Sequence, residues 1–184
     1  MIRSSRNVAA VPAAPAGLAA LAALAMLAAF AAGCGGDDAA TNPPAPPPPP
    51  SFTVSELLAA PLDLKFDGIT YEVEVELWRD FMPPSEPDGR PMAAFALVTA
   101  VGALDWPAEI TTLYVYVVKD GEVWASKMER DASGARPANQ RLYVARDGPK
   151  WGPGITVDVV IGIRTTNGVI HLVRTPDVLI RRSD

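Results

Sequence analysis

The sequence predicts an all-β protein, a single antiparallel β-sandwich of about seven to eight strands over residues 52–184. Three observations carry this. Polar and apolar residues alternate with a strict period of two in several runs, the pattern of half-buried strands. Asp-Gly and Asn-Gly pairs fall between apolar, β-branched runs, as hairpin turns require. Helical periodicity is confined to one short stretch before Pro61.

In chain order, Ser55-Glu56-Leu57-Leu58-Ala59-Ala60 predicts a short helix that opens on an N-cap residue and stops before a proline. Leu62, Leu64 and Phe66 then alternate with polar neighbours up to an Asp67-Gly68 turn. From Ile69 to Trp78, Tyr71, Val73, Val75 and Leu77 share one face, with Thr70, Glu72, Glu74 and Glu76 on the other. Trp78 follows on the glutamate side, where a large apolar ring needs something to cover it. Residues 93–101 and 111–118 are more continuously apolar and suit central strands or strands covered on both sides. Asp120-Gly121 and Asn167-Gly168 predict further hairpins. Ile155, Val157, Val159, Ile161 and Ile163 alternate along the first arm of the last one. Pro176 interrupts the return arm, so Val178 to Arg181 is expected as a short edge strand. Strand count and turn spacing resemble an immunoglobulin-like or fibronectin type III-like domain in pattern only, since no Cys…Trp…Cys spacing is present. A small β-barrel is the rival fold.

The first 51 residues have a different composition. Arg3 and Arg6 precede an uncharged, alanine- and leucine-rich run from Gly17 to Ala32. A basic start, a short apolar run and small residues at its end describe a secretory signal peptide over residues 1–33. The run is short and weakly apolar for a membrane span, which needs about 20 apolar residues. It ends in Ala31-Ala32-Gly33-Cys34, and Cys34 is the only cysteine of the chain. This stretch resembles the lipobox of bacterial lipoproteins, with Ala31 where leucine is usual. The resemblance implies diacylglyceryl transfer to the Cys34 thiol and cleavage between Gly33 and Cys34. Two or more acyl chains hold a protein stably on a bilayer. Gly35 follows the cysteine where an aspartate would favour the inner membrane in enteric bacteria. The implied location is therefore the cell envelope, outer membrane if the cell is Gram-negative, with the folded domain outside the cytoplasm.

Residues 34–51 form a Pro-rich linker expected to lack helix and sheet, since proline has no N–H donor. Pro46 to Pro50 and their neighbours favour polyproline II, and residues 43–50 would span roughly 25 Å as a semi-rigid spacer. A ligand for a PxxP-reading domain is the alternative, although such readers are mostly intracellular.

Charge narrows the partners. Removing residues 1–33 takes away Arg3 and Arg6 from 16 basic residues and none of the 21 acidic ones, so the formal charge moves from −5 to −7. That balance argues against nucleic acid and against electrostatic adhesion to anionic lipid, leaving the lipid anchor as the membrane contact. The domain of residues 52–184 has no cysteine and is long enough to hold itself together by burial alone.

Chemistry-bearing motifs are sparse. His171 is the only histidine, which excludes multi-histidine metal sites and argues against a catalytic triad. On a strand between Ile170 and Leu172 it is expected to be structural or at the surface. No metal site, no cofactor and no catalytic residues are expected. Glu72, Glu74 and Glu76 stand ~7 Å apart along one strand face, a separation that fits an inverting glycosidase pair. Such pairs, however, need unlike environments, and a solvated sheet face accounts for the row. A carboxylate-dependent envelope hydrolase is the weaker alternative. Two loops pair Arg-Asp with aromatics and proline: Trp78-Arg79-Asp80-Phe81-Met82-Pro83-Pro84, and Arg146-Asp147 through Lys150-Trp151-Gly152-Pro153. Aromatic and arginine side chains on loops are what binding hot spots favour. Trp78, Arg79, Phe81, Met82, Lys150 and Trp151 are therefore the candidate binding surface, for an envelope protein first and a glycan second. The competing assignment is that these rings cap the core and the arginines pair with nearby acids; Trp106 and Trp124 are assigned to the core. The expected function is that of a membrane-anchored, non-catalytic binding or structural module, or a passive cover in a larger membrane complex.

Overall fold

The computed structural model describes residues 47–184; the expected signal peptide, the expected lipidation site at Cys34 and the expected linker up to residue 46 lie outside the described residues. The described chain is almost entirely β, with one short helix. The strands are β1 (Leu64–Phe66), β2 (Ile69–Asp80), β3 (Met92–Val101), β4 (Ile110–Lys119), β5 (Glu122–Asp131), β6 (Gln140–Gly148), β7 (Thr156–Thr165) and β8 (Ile170–Ser183).

Their pairing corrects the sandwich expectation. The ladder runs β2-β3-β6-β5-β4-β7-β8, and β8 then pairs back onto β2, so seven strands close into a barrel. β1 is an eighth strand, on β2. Two strands make the closure by changing neighbours along their length. β5 pairs with β4 through Glu122–Met128 and with β6 from Glu129 to Asp131. β8 pairs with β7 as far as Leu179, then with β2 from Ile180 to Ser183. Strands that switch sheets in this way turn the corners of a two-sheet stack and remove its edges. The β2–β8 pairing is parallel, the one exception to antiparallel order. Residues 178–181 are therefore not an isolated edge strand. Pro176 and Asp177, the latter at φ 55°, form a bulge within the β7–β8 ladder, shortly before β8 exchanges β7 for β2 at Ile180.

The local turn chemistry explains the hairpins. Asp67-Gly68 and Asp120-Gly121 both have positive φ at both positions, as a type I′ turn demands. Asn167-Gly168 differs: only Gly168 takes positive φ there. Asn167 instead uses its side-chain oxygen to accept from Val169 N and from Thr165 Oγ1.

The barrel interior is filled by Leu77, Met92, Val98, Leu113, Val115, Ile161, Ile163 and Ile180, all fully buried. A second, smaller cluster lies outside the barrel. Helix α1 (Val54–Leu58) sets Leu57 and Ala60 against Tyr114, Tyr116, Val118 and Val160 on the outer face of β4 and β7. This is why residues 113–118 are buried on both sides. The N-cap is Thr53, two residues earlier than expected, in a capping box with Glu56. Arg174 of β8 fastens the other end, its Nη1 donating to Leu58 O at 2.6 Å. The last described prolines join this face, with Tyr116 Oη donating to Pro50 O at 3.0 Å.

At one end of the barrel Phe66 is stacked between Tyr71 (4.3 Å) and His171 (4.2 Å). His171 is therefore a packing residue of the β1–β8 contact. The buried Tyr71 hydroxyl has no hydrogen-bond partner among the described residues. Burial first, then the charges of Glu109 and Asp67, push its pKa up to about 12. Its folded pKa thus lies above the unfolded value of ~10. The contribution is fully present below pH ~10 and is lost as pH rises toward 12. Tyr71→Phe is expected to leave stability near pH 7 unchanged or higher, since no hydrogen bond is lost. It should also flatten part of the fall in urea midpoint between pH 10 and 12. Tyr116, also raised to about 12 by burial, and Tyr143, Lys119 and Lys150, which are raised as well, retain the rest. Parallel wild-type and variant profiles would refute this role for Tyr71.

Candidate functional site

The two Arg-Asp loops meet at one end of the barrel, and Arg79 joins them. Arg79 points inward from β2 and is 3% exposed. Its Nε donates to Arg90 O at 3.1 Å, and its Nη1 donates to Lys150 O (2.9 Å) and Gly152 O (2.8 Å). Its Nη2 donates to Asp88 O. The guanidinium thus ties together residues 88–90 and 150–152 through carbonyls, not through acids as the core-capping assignment supposed. Buried charge is tolerated only with such satisfaction.

The other candidates fall into place around it. Phe81 lies between the guanidiniums of Arg79 (5.1 Å) and Arg182 (4.0 Å). Its ring also fills the space beside Gly89, where a Cβ would come within 2.7 Å of Phe81 Cε1. Lys150 Nζ donates to Glu86 (2.8 Å) and to both Asp88 oxygens (2.9 and 2.8 Å). The Lys150 hydrogen bond holds the Asp88 carboxyl below its ordinary range, and the two acids raise the lysine. Trp151 packs against the main core with Lys119 Nζ 6.0 Å from its ring. Arg79, Phe81, Lys150 and Trp151 therefore build the barrel end. Trp106 and Trp124 are partly buried at the margin of the core.

Trp78 and Met82 face outward and border a groove of about 460 Å³. Phe95, Ala93 and Pro91 supply more of its apolar lining, and Glu76, Asp80, Arg90 and Arg146 supply charge around it. Trp78 is half-buried because Arg181 covers its ring at 5.4 Å and its Nε1 donates to Glu76 at 3.3 Å. Glu76 is in turn bridged to Arg181 at 3.1 Å. Met82 is exposed, and its backbone N–H donates to Asp80 Oδ1 at 2.9 Å. Phe95 is absent from the sequence-derived surface because β3 is apolar on both faces. Its register opposite Glu76 places it on the outside.

Glu72, Glu74 and Glu76 all lie exposed on the outward face of β2. Among the described residues no group of three or more His, Cys, Asp and Glu side chains could hold a metal ion. The class of site is thus an apolar groove with a charged rim, set on a closed β-barrel. No protein-family model matches the chain, and no curated protein matches its sequence.

Replacing Arg79 tests whether one side chain organises this end. Arg79→Ala leaves four carbonyls without their donor and should lower stability by at least about 3 kcal/mol. Arg79→Lys should recover little, because an ammonium cannot reproduce the planar fork. Urea denaturation of the two variants measures both. A loss under about 1 kcal/mol for Arg79→Ala would show the loops to be held by other contacts.

Proposed function

We propose that the protein is a lipid-anchored, non-catalytic binding module of a bacterial cell envelope, attached through Cys34 and contacting its partner through the groove at Trp78. Geometry carries the second half of this reading. Trp78, Met82 and Phe95 converge on one apolar concavity whose neighbouring loops are fixed by a buried arginine. Preorganised aromatic anchors on rigid elements are what an interface needs. The lipobox-like Ala31-Ala32-Gly33-Cys34 and the proline run supply the anchor and the spacer. A protein partner is favoured over a glycan because Arg181 already occupies one face of the Trp78 ring. A hydrolase is the weaker reading, since the three strand glutamates share one exposed face and similar surroundings.

Expression of the full chain in a bacterium with labelled fatty acid separates the two halves. The wild type should yield a labelled, membrane-bound product beginning at Cys34, and Cys34→Ala an unlabelled one. An unlabelled wild type would remove the anchor. Independently, Trp78→Ala should weaken capture of a partner identified by crosslinking by roughly tenfold or more. Unchanged capture would remove the groove.

A further inference from the structure

We infer that the bare outer face of β2, β3, β6 and β5 is a docking surface for a basic amphipathic helix of a partner protein. The inference rests on the reading of the Trp78 groove as a binding site and extends that groove along the sheet.

Register supplies the argument. Residues directly opposite in paired strands share a face. One row across the four strands therefore reads Glu76, Phe95, Val144, Glu129. The next reads Glu74, Leu97, Leu142, Asp131. Each row is acid, apolar, apolar, acid. Together they make an apolar stripe two strands wide, flanked by carboxylates on both sides and opening at one end into the groove beside Trp78. At that end Arg146 and Lys127 also border the face, and Glu76 is paired with Arg181, so the acidic excess rests on Glu72, Glu74, Glu129 and Asp131. Phe95, Leu97 and Leu142 are half-buried and Val144 is buried, and no element of the described chain lies over them. Glu72, Glu74 and Glu129 have no salt bridge among the described residues.

Dimensions and charge select the occupant. With strands ~4.8 Å apart, the two carboxylate walls stand roughly 14 Å from each other. A helix about 10–12 Å across fits between them along the strands. Its downward face must be apolar, and its two flanks must carry Lys or Arg to meet both walls. The opposite sheet shows the same packing made within the chain, where α1 covers Tyr114 and Tyr116. A second copy of this face would set acids against acids, which disfavours self-association through it.

The test uses the full chain carrying Cys34→Ala and a photoreactive benzoylphenylalanine at position 97. The probe is a synthetic amphipathic helix of about 18 residues, roughly five turns, with leucines on one face and lysines on both flanks. The control replaces those lysines with glutamates. Crosslinking from position 97 to the basic probe and not to the acidic one is expected. The apparent affinity should fall about tenfold between about 50 mM and about 500 mM salt. Glu74→Gln with Glu129→Gln should weaken it roughly fivefold, while Glu122→Gln, outside this face, should not. Equal crosslinking of both probes, or equal effects of the two sets of substitutions, would overturn the charge-selective helix and leave the apolar groove intact as a site. Crosslinks to residues 1–46 of the same chain or to a second copy would overturn it in favour of those occupants. Binding of neither probe would overturn it too, and unchanged partner capture by Trp78→Ala then tells whether the groove reading falls with it.

Discussion

A guanidinium buried at the end of a β-barrel is the constraint around which this molecule is arranged. Arg79 sits where β8 joins β2, with Arg182 as its register neighbour. Leaving water costs such a charge several kcal/mol unless hydrogen bonds replace its hydration. Four carbonyls, from Asp88, Arg90, Lys150 and Gly152, do so. Two loops distant in sequence must therefore converge on one point. Other contacts follow from that convergence. Lys150 comes within reach of Glu86 and Asp88, Phe81 is enclosed by two cations, and Gly89 is pressed against the ring. The exposed ion pairs contribute little individually; the buried carbonyl network is the costly one to break.

Local features of this fold are readable in the sequence, and closure is not. The strand over Ile69–Trp78 follows from its alternation, and the Asp67-Gly68 and Asp120-Gly121 turns follow from residues tolerant of positive φ. These depend on neighbours a few positions away. Closure depends on where β5 and β8 exchange partners, a property of strands remote in sequence, and Pro176 viewed alone reads as a stop. The same limit applies to the site. Aromatic and arginine residues in two loops mark the right end of the barrel, but composition does not separate Arg79, which is buried, from Trp78, which faces outward. Phe95 is hidden for another reason. Where both faces of a strand are apolar, period two carries no information about which side is outside, and only pairing with Glu76 decides it.

The two outer faces of the barrel share the same strand alternation and meet different fates, and electrostatics accounts for the difference. The face of β4 and β7 presents Tyr114, Tyr116, Val118 and Val160. Its charges there, Asp158 and Arg174, are paired with each other, and it accepts α1, whose first turn carries Glu56 and whose C-terminal end receives a hydrogen bond from Arg174. The face of β2, β3 and β6 presents an apolar stripe between glutamates. An acidic helix laid there would face like charge on both sides, at a cost that grows as water is excluded. Helix α1 is therefore suited to the first of these faces and not to the second. The other keeps its carboxylates in water and its apolar centre narrow, the arrangement in which a sheet face that no element of the described chain covers exposes least apolar surface.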